Sequence, residues 1–209
     1  MDKKGTLIKL KVKERKLRQQ IIMDAAGQVF EEKSYDKASM AEIAKVAGIA
    51  KSSIYTYFKD QEDLYAAIVC RDADAFVSML DGKIRGQGAR GVDISITCFL
   101  EYYLHHKAQW RMITHLALHG SKGKQAIQEL NRAGRNLMDL LERVFLEAGC
   151  RPDRARLRAH TLFSCLSGIL IAYRNYPGRT DEERRSYMLR MGMEVREMIT
   201  ALLEKEGIS

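Results

Sequence analysis

Between Lys51 and Lys59 the chain reads Lys-Ser-Ser-Ile-Tyr-Thr-Tyr-Phe-Lys, a run of short hydroxyls, phenols and ammonium groups around two purely apolar side chains. Wound as a helix, it places Ile54 and Phe58 one turn apart, where they can anchor it inward together with Ile49. Lys51, Ser52, Ser53, Tyr55, Thr56 and Tyr57 are then left for the outer face. Such a surface suits hydrogen bonding to a polyanion. Ser52, Ser53 and Thr56 are short enough to meet base edges, while Lys51, Tyr55, Tyr57 and Lys59 can reach phosphate oxygens. Covalent chemistry has no comparable constellation: G-x-S-x-G, a Walker loop, a dinucleotide glycine motif and H-E-x-x-H are all missing from the sequence.

The element that must position this run lies just before it. Ser39 followed three residues later by Glu42 spells a capping box. Met40, Ile43, Ala44 and Ala47 then form one apolar stripe at helical spacing, and Gly48 supplies the left-handed residue that ends a helix. A helix, a glycine turn and a second helix from about Ala50 to Phe58 make the form that lays its second helix in a DNA major groove. A small amphipathic hairpin with a solvated polar face fits the same pattern.

Residues 21–65 as a whole resemble the DNA-binding domain of the tetracycline-repressor (TetR) family. The resemblance rests on Ala26 and Phe30, the aromatic Tyr35, the span Ser39 to Gly48, the run Tyr55-Thr56-Tyr57-Phe58, Lys59, and the acidic helix start Glu62-Asp63-Leu64, in matching order and spacing. Three positions depart from the family pattern. Ser34 stands where a glycine is usual, Ala50 where a Ser or Thr cap is usual, and Gln61 where a lysine is frequent. Each lost feature would cost the head about 1 kcal/mol or one phosphate contact. The resemblance implies an all-α homodimer: an N-terminal three-helix DNA-binding domain, then a helical ligand-binding and dimerisation domain, about nine helices in all. It implies DNA contacts at Ser39, Lys51, Ser52, Ser53, Tyr55, Thr56, Tyr57 and Lys59.

Charge agrees. The chain carries +8 over 209 residues, and residues 1–20 hold eight Lys or Arg against Asp2 and Glu14, a net of +6. The excess therefore sits immediately before the helix-turn-helix. An arm there can track phosphates or enter a minor groove, or it is a frayed, solvated helix start. The organisation expected is 1–20 basic arm and start of helix 1, 21–60 helix-turn-helix domain, and 61–209 effector-binding and dimerisation domain.

After Lys59 the pattern stays helical. Asp60 with Asp63 caps a fourth helix to about Leu80, and residues 81–91 hold four of the fifteen glycines as a loop. Helices follow at about 92–106, 107–118, 125–148, 153–175 and 180–205, the last opened by a Thr180/Glu183 capping box. Cys70, Cys98, Cys150 and Cys165 stand far apart, which suits reduced thiols in a cytoplasm rather than a disulfide framework or zinc site. The longest apolar run, Leu162 to Tyr173, is shorter than the ~20 residues a membrane span needs, so no membrane partner is expected.

Two apolar stripes point to a partner. Leu162, Leu166, Ile169, Leu170 and Tyr173 form one, with small Ser164, Ser167 and Gly168 beside them. Met191, Val195, Met198 and Leu202 form the other. As an antiparallel hairpin they could pair with their twin in a four-helix bundle, or face their own core. Phe99, Tyr102, Tyr103, Trp110, Met112, His115 and Phe163 are the candidate walls of an effector site, with a packed core as the plainer reading. His115 and His119 lie one turn apart, but without a nearby Cys or carboxylate at ligand spacing no metal or other cofactor is expected. The reading that follows is a ligand-responsive DNA-binding repressor on a near-palindromic operator, not an enzyme. An effector among helices five to eight would move the fourth helix and change the spacing of the two reading heads. An effector-free DNA-binding protein of the same fold is the alternative, and a small all-α enzyme the third.

Overall fold

The computed structural model describes residues 3–120 and 123–205. Among them are nine α-helices and no strand: α1 Lys3–Glu32, α2 Met40–Ala47, α3 Lys51–Ile54, α4 Gln61–Ile84, α5 Arg90–His105, α6 Lys107–His119, α7 Lys124–Glu147, α8 Pro152–Tyr173 and α9 Asp181–Glu204. A single 3-10 turn, Tyr35–Lys37, sits between α1 and α2. The protein is all-α, as its periodicity predicts. Two compact units divide it, one of residues 1–71 with 111–130, the other of 72–110 with 131–209. These are not consecutive segments, unlike the expected division at 60/61, because the cut falls inside α4, α6 and α7.

In the first unit, Ile22, Ala26 and Phe30 of α1 bury against Ile43 and Ala44 of α2, Ile54 of α3, Leu64 and Ile68 of α4, and Met112 of α6. Caps set the element starts. Ser39 Oγ accepts from the Glu42 N–H (3.2 Å), but the return bond of a capping box is not made: the Glu42 carboxylate instead pairs with Lys33 Nζ at 2.5 Å. Gly48 takes φ 67°, the left-handed geometry a Cβ disfavours. At α4 the Asp63 N–H donates to Asp60 Oδ1 (2.8 Å) and Asp63 Oδ2 accepts from the Lys59 N–H (3.0 Å).

Local geometry differs from expectation at three places here. α1 runs from Lys3 without interruption, so the described part of the basic arm is helix. Ser34 adopts φ −71°, ψ 161°, extended rather than left-handed, so the strain expected of a missing glycine never arises. α3 closes at Ile54 rather than Phe58. The chain then tightens, with Thr56 N–H on Ser53 O and Tyr57 N–H on Ile54 O, and Ala50 supplies no side-chain cap to lengthen the helix.

The second unit is built on α5, α8 and α9, with parts of α4 and α7. The Thr180/Glu183 capping box is complete, with bonds of 3.2 and 2.7 Å. Arg185 pairs with Glu101 (2.6 Å) and Arg196 with Asp93 (2.9 Å), joining α9 to α5. The residues expected at a dimer seam divide. Leu162, Leu166, Ile169, Leu170 and Val195 are buried by their own chain, because periodicity shows that a face is covered but not by what. Tyr173 and Met191 are half-buried, and Met198 and Leu202 exposed. The exposed line on α8 is instead Leu157, Thr161, Ser164, Gly168 and Ile171, at i, i+4, i+7, i+11 and i+14.

Candidate functional site

Ile54 and Phe58 are the two buried side chains of the 51–59 segment. Ile54 is fully buried and Phe58 nearly so, while Lys51, Ser52, Tyr55, Thr56 and Lys59 are exposed and Ser53 and Tyr57 half-buried. Ile54 and Phe58 thus point inward as read from the sequence, over a shorter helix, but Tyr57, read as outward, packs in part against the core of the head. The Ser39 hydroxyl is at the surface but already engaged as the α2 cap. Gln61, standing where the family often has lysine, donates through Nε2 to Tyr35 O at 2.8 Å and so holds the aromatic corner. Tyr35 stacks on Phe30 and meets Tyr65 edge-on at 4.9 Å. Burial raises the pKa of both phenols, most strongly Tyr65, so they stay neutral.

Arg15 is a residue that spacing gives no reason to single out. Its guanidinium donates to Thr56 O at 3.2 Å and lies 5.2 Å from the centre of the Tyr57 ring. Beside it a groove of about 410 Å³ is floored by Leu17, Ile21, Ile22, Ala47 and Ile49, with Ser53 and Tyr57 at its edge. Arg111 is likewise unmarked in the sequence. It donates to the carbonyls of Phe30 and Glu31, which closes the C-terminal end of α1.

The candidate effector residues fall into two groups. Phe99, Tyr102, Tyr103, Trp110 and Phe163 meet in one aromatic cluster of the second unit, joined by Phe76, which sequence reasoning passed over. Phe99 is its hub, with ring centres 4.9 Å from Tyr103, 5.7 Å from Phe76 and 5.9 Å from Trp110 and Phe163. Met112 and His115 belong to the first unit, Met112 in its core and His115 between Tyr35 (4.9 Å) and Tyr65 (5.6 Å). His119 stacks on His115 at 4.4 Å, and among the described residues no group of three His, Cys or carboxylates stands ready for a metal. The sequence could not separate the two groups, because the boundary at 110/111 lies within one unbroken helix.

Next to Trp110 and Tyr103 is a cavity of about 30 Å³, also lined by Lys107, Arg174, Asp181, Arg184 and Met188. That is room for about one or two waters. Lys107 Nζ donates to Asp181 Oδ2 (3.0 Å), Arg184 bonds the same carboxylate, and Arg174 donates to Lys107 O (3.0 Å). These cations hold Asp181 below the usual carboxylate range. Three cations against one carboxylate leave the lining net positive.

Residues 22–68 match the sequence profile described as bacterial regulatory proteins, tetR family. That stretch carries the sequence pattern of a TetR-family DNA-binding head. Among curated relatives, the fatty acid metabolism regulator protein of Bacillus subtilis is 27% identical over 124 residues, 56% of this chain and 62% of the relative. The chain thus spans less than two thirds of that relative's length. Two solved structures share the fold. The FadR regulator of Bacillus subtilis, in complex with stearoyl-CoA, has a TM-score of 0.67 at 18% identity, over 83% of this chain and 95% of that one. AibR, in complex with isovaleryl coenzyme A and operator DNA, has a TM-score of 0.62 at 19% identity, over 84% and 97%. The profile match lies in the N-terminal head, where residues 22–68 enclose the whole 51–59 segment. No helix among the described residues is long and apolar enough to cross a membrane.

Proposed function

We propose that this chain is a homodimeric transcriptional repressor of the TetR family, released from its operator by a small amphipathic ligand. The observation that carries the DNA part is the 51–59 segment: a one-turn helix pinned by Ile54 and Phe58 that presents Lys51, Ser52, Tyr55, Thr56 and Lys59 to solvent. Lys51, Tyr55, Tyr57 and Lys59 act on phosphates; Ser52, Ser53 and Thr56 act on bases. Lys51→Ala should then weaken binding to every sequence and lower the salt slope by about one. Ser53→Ala should instead lower the preference for a selected operator over random DNA. Identical behaviour of the two variants would refute this sorting.

Two protomers would pair through the exposed line on α8 (Leu157, Ser164, Gly168, Ile171) with Met198 and Leu202 of α9, where the small residues let helices approach. The ligand is supported by the aromatic cluster under a net-positive lining, and by the acyl thioesters held by the two similar structures. The test is stearoyl-CoA and shorter acyl-CoA species against operator release, with fluorescence of Trp110, the chain's single tryptophan, as reporter. Coupling of 1–3 kcal/mol would weaken operator binding by about 5- to 150-fold, and the operator must weaken the ligand by the same factor. The effector-free alternative has its own support, since a void of about 30 Å³ admits no acyl chain until side chains part. A compound that quenches Trp110 without changing operator affinity would favour it.

A further inference from the structure

From Thr6 to Arg18 every residue of α1 is exposed. A helix that buries none of its faces lacks the packing from which helices in proteins draw most of their stability. Its charges are nearly all of one sign: Lys9, Lys11, Lys13, Arg15, Lys16 and Arg18 against Glu14. Lys11, Arg15 and Arg18 share one stripe at i, i+4 and i+7, and Arg15 on that stripe touches Thr56 and Tyr57. The cationic stripe therefore runs directly onto the 51–59 segment.

We propose that this part of α1 is a rail for duplex DNA, lying along the phosphate backbone outside the base pairs that the 51–59 segment meets. The proposal rests on the DNA-binding reading above. A helix 10–12 Å across cannot enter a minor groove about 6 Å wide, so the insertion open to an extended arm is closed to this one. Its thirteen exposed residues rise about 20 Å, the length of about six base pairs. Charge excludes a second copy of the same helix as occupant, since each would repel the other. A lipid surface is disfavoured because Leu7, Leu10 and Leu17 lie on one side and Ile8 and Val12 on another, leaving no single apolar face to submerge.

The test uses the full chain and a duplex that the protein itself selects from a random-sequence library. That duplex is made in two lengths, trimmed to its half-sites or carrying about ten further base pairs on each side, beyond the reach of the rail. The fourfold variant Lys9→Gln/Lys11→Gln/Lys13→Gln/Lys16→Gln leaves Arg15 and Arg18 in place. Wild type should bind the longer duplex more tightly and with the steeper salt slope. The variant should lose about 0.9 of slope for each phosphate contact removed, on the longer duplex only. Lysine-to-arginine changes at the same four positions keep the charge and should restore both effects, which separates charge from helix content. Equal slopes for wild type and the Gln variant on the longer duplex overturn the rail while leaving the 51–59 reading intact. Failure of wild type to select any duplex overturns both. Loss of binding to phosphatidylserine vesicles with unchanged DNA binding makes lipid the occupant and also overturns it.

Discussion

Gly192 lies inside α9 where that helix crosses α5, and the room at this crossing is measurable. A Cβ built on Gly192 would stand 2.6 Å from Leu100 Cδ1 and 3.2 Å from Ile96 Cγ2. Leu100 is fully buried, so its side chain has little freedom to turn away. Alanine at 192 therefore brings two opposed effects. Removing a glycine from a helix interior gains about 1 kcal/mol, while forcing a methyl into a filled crossing costs about 1–3 kcal/mol. The net is a loss of about 0–2 kcal/mol. Gly134, inside α7 of the same unit, is the control: its Cβ would meet nothing within 4 Å, so alanine there keeps the gain alone. For a chain of this size, 1 kcal/mol corresponds to about 2–4 °C in Tm. Gly134→Ala should raise Tm by about 1–4 °C and Gly192→Ala should leave it unchanged or lower it by up to about 8 °C. Thermal unfolding followed by circular dichroism at one fixed protein concentration reads both, since a dimer's Tm depends on concentration. A Gly192→Ala protein stabilised as much as Gly134→Ala would show that this crossing does not require a glycine.

Three further outcomes are expected. Burial and then the neighbouring His119 hold the His115 pKa below its ordinary 6.5, outweighing Asp36, so the fold favours the neutral ring. That contribution is whole above 6.5 and is lost as pH falls through the lower folded-state value; Tm measured from about pH 7.5 to about 5 should fall less in His115→Phe than in wild type. Ile171→Glu, on the exposed line of α8, should give a folded monomer by light scattering, whereas Leu170→Arg, one residue earlier but buried, should unfold the protomer itself. Ser39→Ala removes the α2 cap and should cost about 1 kcal/mol in denaturant unfolding, with the loss reporting on the head.

What could be read from the chain depended on how local the cause was. Thr180 and Glu183 settle their helix start between themselves, and the structure carries their box in full. Ser39 and Glu42 have the same spelling, yet Lys33, nine residues away from Glu42, takes the carboxylate. No window of four residues contains that competition. The stripe Leu162, Leu166, Ile169 and Leu170 shows the same limit at larger scale: its period gives a covered face, and only the three-dimensional contacts identify its own chain as the cover. Ile54 and Phe58 were legible as anchors because one helical turn relates them. Arg15 and Thr56, forty-one residues apart, were not.

The brevity of α3 bears on how such a protein could change over generations. Within the segment from Lys51 to Lys59, Ile54 and Phe58 are buried and Tyr57 packs in part on the core, while Lys51, Ser52 and Tyr55 are exposed. Exposed substitutions away from caps and networks usually shift stability by no more than about 0.5 kcal/mol. Lys51, Ser52 and Tyr55 are therefore free to be replaced while the fold persists. A lineage could wander to a new target sequence through a series of fully folded intermediates, retaining the anchors and exchanging these exposed side chains.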